Sequence, residues 1–171
     1  MVLKTATKDD LKALQQTCIA AYSKNFHHHW EPGGLDWFIE KEFGDARIKK
    51  DLADKDIRYY FIMKDQLPVG FVKIRNAGVD EYQLSNVLEL EKIYILPEIK
   101  SYGIGKKALL EIIASARTVG KEYILLTVID TNVPAIAFYE KHGFAFHSKT
   151  RLEIPYFKEE LKGANKMILN L

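Results

Sequence analysis

The sequence predicts an α+β fold in which a mixed β-sheet carries helices on both faces. Apolar runs of strand length recur along the chain, and in its second half a strand, a glycine-containing loop, an amphipathic helix and another strand follow one another. Turn-rich segments separate strand-like runs before and after this unit, which indicates hairpins. Hairpins give antiparallel pairs, whereas a strand–helix–strand crossover gives a parallel pair, so the sheet must be mixed.

The length and composition favour one domain over residues 1–171. Of these 171 residues, 47 % are hydrophobic and 28 % are charged, which suits a filled core with a charged surface. With 25 basic and 23 acidic residues the net charge is +2, so no general field attracts nucleic acid or anionic lipid. No apolar run reaches the length of about 18 residues that a membrane span requires. We therefore expect a cytoplasmic protein with neither nucleic-acid nor membrane partners.

The first half is predicted to contain helices followed by a hairpin. Residues 7–10 have the pattern of a capping box, with aspartate in place of the usual glutamate. Apolar residues then recur at helical spacing, and the lone cysteine, Cys18, lies on that buried stripe. Two shorter helices are expected around residues 35–43 and 48–52. Residues 58–63 and 69–74 are β-rich runs joined by a turn, which predicts a hairpin.

The second half has the clearest order. A strand is predicted over residues 88–96, where Pro97 ends it, and an amphipathic helix follows the glycine loop until Gly120 caps it. The continuous apolar run 123–129 is typical of a strand covered on both faces. A short helix then opens at Asn132 and Pro134 and closes at Gly143. Strand-like runs at residues 144–151 and 166–171 complete the chain.

The loop between the strand and the amphipathic helix is a candidate anion site. Gly103 and Gly105 allow close approach of a ligand to the backbone, and the unpaired N–H groups of a helix start attract negative charge. Lys100, Lys106 and Lys107 add positive charge at the rim. The alternative is a simple tight connection. The spacing matches neither a P-loop nor the three-glycine dinucleotide pattern.

Several motifs together resemble the GNAT acyl-CoA N-acetyltransferases. Ile93-Tyr94-Ile95-Leu96-Pro97 matches the family's strand, and Lys100-x-x-Gly103-x-Gly105 matches its loop signature, with lysine in place of arginine or glutamine. Residues 132–144 match the family's Asn-x-x-Ala-x-x-Phe-Tyr-x-Lys-x-Gly-Phe block. Because the hairpin at Gly70 also fits, the resemblance covers nearly the whole chain. It implies the GNAT fold, a mostly antiparallel mixed sheet of about seven strands.

The resemblance also implies acetyl-CoA as cosubstrate, no metal, and direct acetyl transfer to an amine within a ternary complex. Strand backbone would pair with the pantetheine arm, the glycine loop would hold the diphosphate, and Lys141 would lie near the adenosine. The residues implied in coenzyme A binding are Ile93, Tyr94, Ile95, Lys100, Ser101, Tyr102, Gly103, Ile104, Gly105, Lys106, Asn132, Tyr139 and Lys141.

Three side chains are candidates for proton transfer. Tyr139 matches the family tyrosine that protonates the departing thiolate and is the preferred candidate; the alternative is a core aromatic packed with Phe138 and Phe144. An alkyl ammonium titrates near 10.4, so a base must take its proton at neutral pH. Glu89 and Glu91 lie two apart on one strand and hence share a face. Glu89 is the preferred base by its position in the family pattern. A solvated strand face paired with Lys92 is the alternative.

The acceptor pocket is assigned to the first half, where carboxylates accompany aromatic side chains between residues 31 and 56. This combination suits a linear polycation, although helix surfaces carry such charges anyway. The predicted acceptor-binding residues are His28, Trp30, Glu31 and Trp37. Adjacent histidines at 27–29 point in different directions, which disfavours a metal site.

Residues 21–31 resemble the PaiA-like branch of the family, which implies a polyamine such as spermidine or spermine as the small-molecule acceptor. Two alternatives stay open: a protein N-terminus or lysine as acceptor, and a non-catalytic regulatory module that binds coenzyme A. A homodimer is also left open.

Overall fold

The computed structural model describes residues 1–76 and 84–171, with the side chains of residues 100–102 outside that description. Within these ranges the chain forms seven strands, five α-helices and four short 3-10 helices. The strands are β1 (Leu3–Thr5), β2 (Ile57–Lys64), β3 (Leu67–Asn76), β4 (Val87–Ile95), β5 (Tyr123–Ile129), β6 (Ala145–Arg151) and β7 (Gly163–Asn170). The helices are α1 (Leu11–Phe26), α2 (Gly34–Phe43), α3 (Asp45–Ala53), α4 (Ile104–Thr118) and α5 (Val133–Lys141). The 3-10 helices are Lys8–Asp10, His27–His29, Pro97–Tyr102 and Glu159–Leu161.

The strands form one sheet in the order β1-β2-β3-β4-β5-β7-β6. The pair β4–β5 is parallel, and every other pair is antiparallel. β4 and β5 pair only where residues 87–89 face residues 123–125, although both strands continue beyond that point. The two strands therefore diverge in the middle of the sheet.

Each face of the sheet has its own apolar core. On one face, α4 buries Leu109 and Ile112 against strand residues such as Leu90 and Ile124. On the other face, helices α1 to α3 pack a largely aromatic cluster against β2, β3 and β4, and Cys18 is fully buried there. This burial confirms Cys18 as a core residue and raises the pKa of its thiol well above the ordinary value.

The predicted fold class is confirmed, including the seven-stranded, mostly antiparallel sheet with helices on both faces. Two elements differ from the prediction. The edge strand β1 was not predicted, because three residues are too few to show an alternating pattern, and β7 begins at Gly163 rather than at residue 166. In the described part of the chain, no helix is both long and apolar enough to span a membrane. A single domain over residues 1–171 stays a prediction.

Candidate active site

The divergence of β4 and β5 opens a cavity of about 640 Å³. Strand edges form two of its walls, α5 closes one end, and α1 and α2 close the other together with the connection between β6 and β7. The residues that line it are Tyr22, Asn25, Phe26, Phe38, Lys41, Glu42, Glu91, Lys92, Ile93, Tyr94, Ile95, Gly105, Thr127, Val128, Ile129, Asn132, Pro134, Ala135, Phe138, Tyr139, Leu152, Ile154 and Phe157.

The edge of β4 presents backbone donors to this cavity. Leu96 donates its N–H to the carbonyl of Val69, so Ile95 and Gly70 form a non-hydrogen-bonded pair of the antiparallel ladder. Because backbone direction alternates along a strand, the N–H groups of Ile93 and Ile95 point away from β3 and into the opening. The carbonyl of Ile95 accepts a hydrogen bond from Asn25 Nδ2 at 2.8 Å, which fastens α1 to this edge.

The N-terminus of α4 lies beside the same opening. Gly103 is the residue before the helix and has φ +68°, a left-handed conformation that favours glycine. Gly105 lines the cavity, Ile104 is buried in the core and Lys106 is exposed. For residues 100–102 only the backbone is described, so the predicted contacts of the Lys100, Ser101 and Tyr102 side chains lie outside the described residues.

Helix α5 supplies the end wall. Asn132 precedes the helix, and its side-chain oxygen accepts a hydrogen bond from the Ala135 N–H at 3.3 Å, which is an N-cap. Tyr139 lines the cavity two residues before the end of the helix, whereas Lys141 is the exposed last residue. Burial, followed by the proximity of Tyr94, raises the pKa of the Tyr139 phenol above its ordinary value of 10.0. The hydroxyl therefore stays protonated at neutral pH and is a hydrogen-bond donor.

A β-bulge places two consecutive side chains of β4 on the face of the sheet that α1 to α3 cover. Lys73 of β3 faces Lys92, whereas the next residue, Ile74, faces Leu90, so Glu91 is the extra residue. Glu91 then forms an ion pair with Lys73, and Lys92 forms one with Glu42 of α2. In a regular strand these neighbours would point to opposite faces, so the bulge is what brings both to the cavity wall.

The two candidate bases differ in environment. Glu91 lines the cavity, but its oxygens bind Lys73 at 2.7 Å and Arg75 at 2.5 Å. Burial alone would raise the pKa of Glu91, yet the hydrogen bonds and charges of Lys73 and Arg75 outweigh it and hold that pKa below 4.5. Glu89 does not line the cavity; burial, then the charge of Glu91, raises the pKa of Glu89 above 4.5. Glu89 is thus the stronger proton acceptor of the two.

The far end of the cavity is aromatic with a mixed charge. Tyr22 stacks on Phe38 with ring centroids 4.6 Å apart and meets Phe26 at 5.1 Å. The charged residues among the described lining are two cations and two carboxylates: Lys41, Lys92, Glu42 and Glu91. Phe38 and Glu42 belong to the aromatic and acidic stretch that the sequence assigns to the acceptor pocket, whereas Asn25, Lys41, Lys92 and the strand-connecting residues Leu152, Ile154 and Phe157 were not predicted. No local motif marks them, because they belong to segments that meet only in the fold.

The predicted acceptor-binding residues lie outside the cavity lining. Trp30 is buried behind it, against Phe38 and Phe157 with ring centroids 4.8 and 5.0 Å away. Trp37 lies under the ammonium of Lys41, which is 4.8 Å from the ring centroid. Glu31 and His28 are exposed. Trp30 and Trp37 thus support residues that line the cavity, and their direct contact with an acceptor stays a prediction.

The three histidines form a short 3-10 helix in which neighbouring rings meet edge to face. His29 packs against Phe26 and Phe157, and burial, then the nearby His28, lowers its pKa to about 4. His29 is therefore neutral at physiological pH. Within the described residues, no group of three or more metal-binding side chains occurs.

The cavity fits the cosubstrate that the sequence resemblance implies. The Ile93 and Ile95 donors suit the amides of an extended pantetheine arm, in the manner of an added strand. The helix start at Gly103 suits a diphosphate, because its N–H groups point out of the helix and carry partial positive charge. Tyr139 lies on the wall of the same cavity. Hydrogen-bond donors from β4, α4 and α5 thus surround the same opening.

Residues 18–144 match the Acetyltransferase (GNAT) family. The chain therefore belongs to the GNAT family. An uncharacterized N-acetyltransferase of Methanocaldococcus jannaschii is 28 % identical over 144 residues, which are 83 % of this chain and 59 % of the relative. The chain thus spans less than two thirds of that relative's length.

Two solved structures show the same fold. The PaiA N-acetyltransferase of Thermoplasma acidophilum in complex with coenzyme A superposes with a TM-score of 0.74 at 19 % identity, over 100 % of both chains. A variant of the spermidine N-acetyltransferase SpeG of Vibrio cholerae superposes with a TM-score of 0.68 at 17 % identity, covering 99 % of this chain and 95 % of the other. At these identities the likeness establishes the fold, and the acceptor must be argued from the cavity.

Proposed function

We propose that this protein transfers an acetyl group from acetyl-CoA to a primary amine by direct attack within a ternary complex. The observation that carries the proposal is the cavity between β4 and β5, which is lined by Tyr139 and by Ile93 and Ile95, whose N–H groups point away from β3. Acetyl-CoA supplies the activated thioester, whose acetyl group moves to the amine as the C–N bond forms and the C–S bond breaks.

The chain's own groups account for the other requirements of the reaction. A backbone N–H of β4 polarises the carbonyl without any side chain, as in an oxyanion hole. The protonated Tyr139 hydroxyl donates to the departing sulfur. Glu89, whose pKa is raised, accepts the proton of the amine through solvent, since its side chain lies outside the cavity lining. Glu91 stays ionised between its two cations and stabilises positive charge near the acceptor.

The acceptor that we propose is a polyamine such as spermidine or spermine. Aromatic side chains of α1 and α2 line the far end of the cavity, where Glu42 and Glu91 supply negative charge for ammonium groups. The Vibrio cholerae relative SpeG is a spermidine N-acetyltransferase, which supports this class of acceptor. Of the carboxylates noted between residues 31 and 56, Glu42 lines the cavity, and Asp51 is buried in ion pairs with Arg47 and Lys73.

A panel of amines tests both the acetyl transfer and the assignment of a polyamine as the acceptor. Thiol release from acetyl-CoA would be measured with spermidine, spermine, butylamine, free lysine and a peptide with a free N-terminus. We expect intersecting initial-velocity lines and the highest kcat/KM with the polyamines. A preference for the peptide would overturn the polyamine assignment alone. Tight acetyl-CoA binding without acetylation of any amine would overturn the enzyme and favour the regulatory module.

A further inference from the structure

The two carboxylates in the cavity wall are held in different ways. Glu91 is fixed from behind by Lys73, whose side chain is only 1 % exposed and does not line the cavity. Glu42 accepts from Arg47 through Oε1 at 3.4 Å, and its other oxygen, Oε2, binds Lys92 at 3.1 Å. Because Lys92 itself lines the cavity, Glu42 Oε2 is the carboxylate oxygen whose partner can be exchanged from the cavity side.

Lys92 also has the chemistry of the proposed acceptor. Its side chain is a primary ammonium on a flexible, unbranched alkyl stem, as is each end of a polyamine. Exchange of one alkyl ammonium for another leaves Glu42 paired throughout, so this carboxylate avoids the large cost of an uncompensated buried charge. The bulge at Glu91 is what turns Lys92 towards α2 and makes this exchange geometrically accessible.

We propose that the Lys92 ammonium occupies the binding position of one acceptor ammonium at Glu42 Oε2, and that the non-reacting ammonium of a polyamine displaces it from there. This inference rests on the proposed function, because it describes how the acceptor enters the same cavity. It makes Glu42 and Lys92 specificity-determining residues. The acceptor must then carry two amines, one held at Glu42 and the other free to react at the edge of β4.

The kinetic test compares Lys92→Met with Lys92→Arg. Methionine removes the competing ammonium while keeping the stem's length, so the KM for spermidine should fall about fivefold, the scale of one partly exposed ion pair. Arginine holds a carboxylate through two parallel hydrogen bonds, so Lys92→Arg should raise that KM. The KM for butylamine, which has no second ammonium, should change by less than twofold in both variants. A higher spermidine KM in Lys92→Met would overturn the inference.

Lys41→Met is the matched control, because Lys41 also lines the cavity but lies over the Trp37 ring. An equal fall in the spermidine KM for this variant would show a general charge effect and would overturn the exchange. Glu42→Gln should raise the KM for spermidine. In the double variant it should cancel the fall in this KM that Lys92→Met causes. If Lys92→Met melts at a much lower temperature than the parent, Lys92→Arg decides, because an unchanged or lower KM there contradicts the exchange.

A second readout separates this inference from the proposed function. Calorimetric titration of spermidine into the protein saturated with coenzyme A measures acceptor affinity without turnover. Tighter binding by Lys92→Met supports the exchange even if no acetylation is detected. Acetylation of spermidine by the parent, with identical affinities in parent and Lys92→Met, would leave the function standing and overturn the role of Lys92.

Discussion

Tyr139 combines burial with a position on the cavity wall, so its hydroxyl is held as a proton donor. Tyr139→Phe should lower kcat about 100-fold, the low end of the range for general acid–base catalysis, with little change in the KM for acetyl-CoA. Steady-state kinetics checks this expectation. Tyr123→Phe, on β5 but outside the cavity lining, is the control and should retain activity. A Tyr139→Phe protein that melts early yet keeps normal specific activity would contradict the assignment.

Glu89 and Glu91 are separated by the direction of their pKa shifts. A base must be ionised, so activity should fall as the pH falls through the pKa of Glu89, which burial places above 4.5. Glu89→Gln should lower kcat about 100-fold at neutral pH and flatten this acidic limb. The measurement is the pH profile of kcat. Glu91→Gln is the matched comparison and should keep the limb; loss of the limb in Glu91→Gln alone would assign the base to Glu91.

Six of the residues predicted to bind coenzyme A line the cavity, whereas none of the four predicted to bind the acceptor does. Ile93, Gly105, Asn132 and Tyr139 lie in short motifs whose local geometry places them at the opening. Residues such as Asn25, Lys92 and Phe157 belong to separate segments that converge only through packing and a bulge. A single sequence carries no local signal for such contacts. Glu31 lies in an aromatic and acidic stretch and was predicted to bind the acceptor, but it is exposed and lies outside the cavity lining.

At the scale of elements, the start of α4 depends on a backbone conformation that glycine alone adopts easily. Gly103 and Gly120 flank this helix with φ of +68° and +73°, and a Cβ at either would meet nothing within 4 Å. Valine at either position should cost about 1–2 kcal/mol of backbone strain. Only Gly103→Val should weaken coenzyme A binding, because it distorts the N–H groups at the helix start.

Calorimetric titration of coenzyme A into the two glycine variants checks this expectation. Gly120→Val reports the stability cost of the same strain away from the site. Equal affinities in Gly103→Val, Gly120→Val and the parent would show that the start of α4 does not hold the diphosphate.

The bulge in β4 explains why a correctly predicted strand did not predict that Glu91 and Lys92 both line the cavity. The apolar pattern indicates a strand over residues 88–96, but alternation assigns Glu91 and Lys92 to opposite faces. The extra residue opposite Lys73 breaks this alternation and brings both side chains to one face. The cause is long-range, since Lys73 of β3 and Glu42 of α2 supply the partners that make the bulge favourable.

Across the whole molecule, a chain of alternating charges joins the helices to the centre of the sheet. It runs from Lys92 through Glu42, Arg47, Asp51, Lys73 and Glu91 to Arg75. Lys73 is fully buried at its centre, and Asp51 also accepts a hydrogen bond from Tyr59 at 2.8 Å. Periodicity predicted the buried stripe of α1 and the apolar face of α4, but a buried lysine on an otherwise apolar strand is explained only by partners distant in sequence.

Lys73→Met should therefore lower the free energy of unfolding by about 3–5 kcal/mol, because it leaves Asp51 and Glu91 buried without their shared cation. Urea unfolding at pH 7 measures this loss. Lys49→Met, which removes a wholly surface ion pair with Asp45 at 3.6 Å, is the control and should change stability by less than about 0.5 kcal/mol. Equal effects of the two substitutions would contradict a structural role for the buried chain.

The same chain of alternating charges should make the stability of the parent protein sensitive to acid. The folded pKa values of Asp51 and Glu91 are held below their ordinary values of 3.8 and 4.5, so their contribution is complete above pH 4.5 and is lost as the pH falls further. The pKa of His29 is lowered from 6.5 to about 4 in the folded protein. The contribution of neutral His29 to the free energy of unfolding is therefore lost at higher pH, as the pH falls from 6.5 to about 4. Urea unfolding across pH 3–8 should show both windows. His29→Gln should remove the loss of stability between pH 6.5 and about 4 and keep the loss below pH 4.5, because the buried carboxylates keep their partners. A loss of stability in one pH range only, unchanged by this substitution, would contradict the assignment.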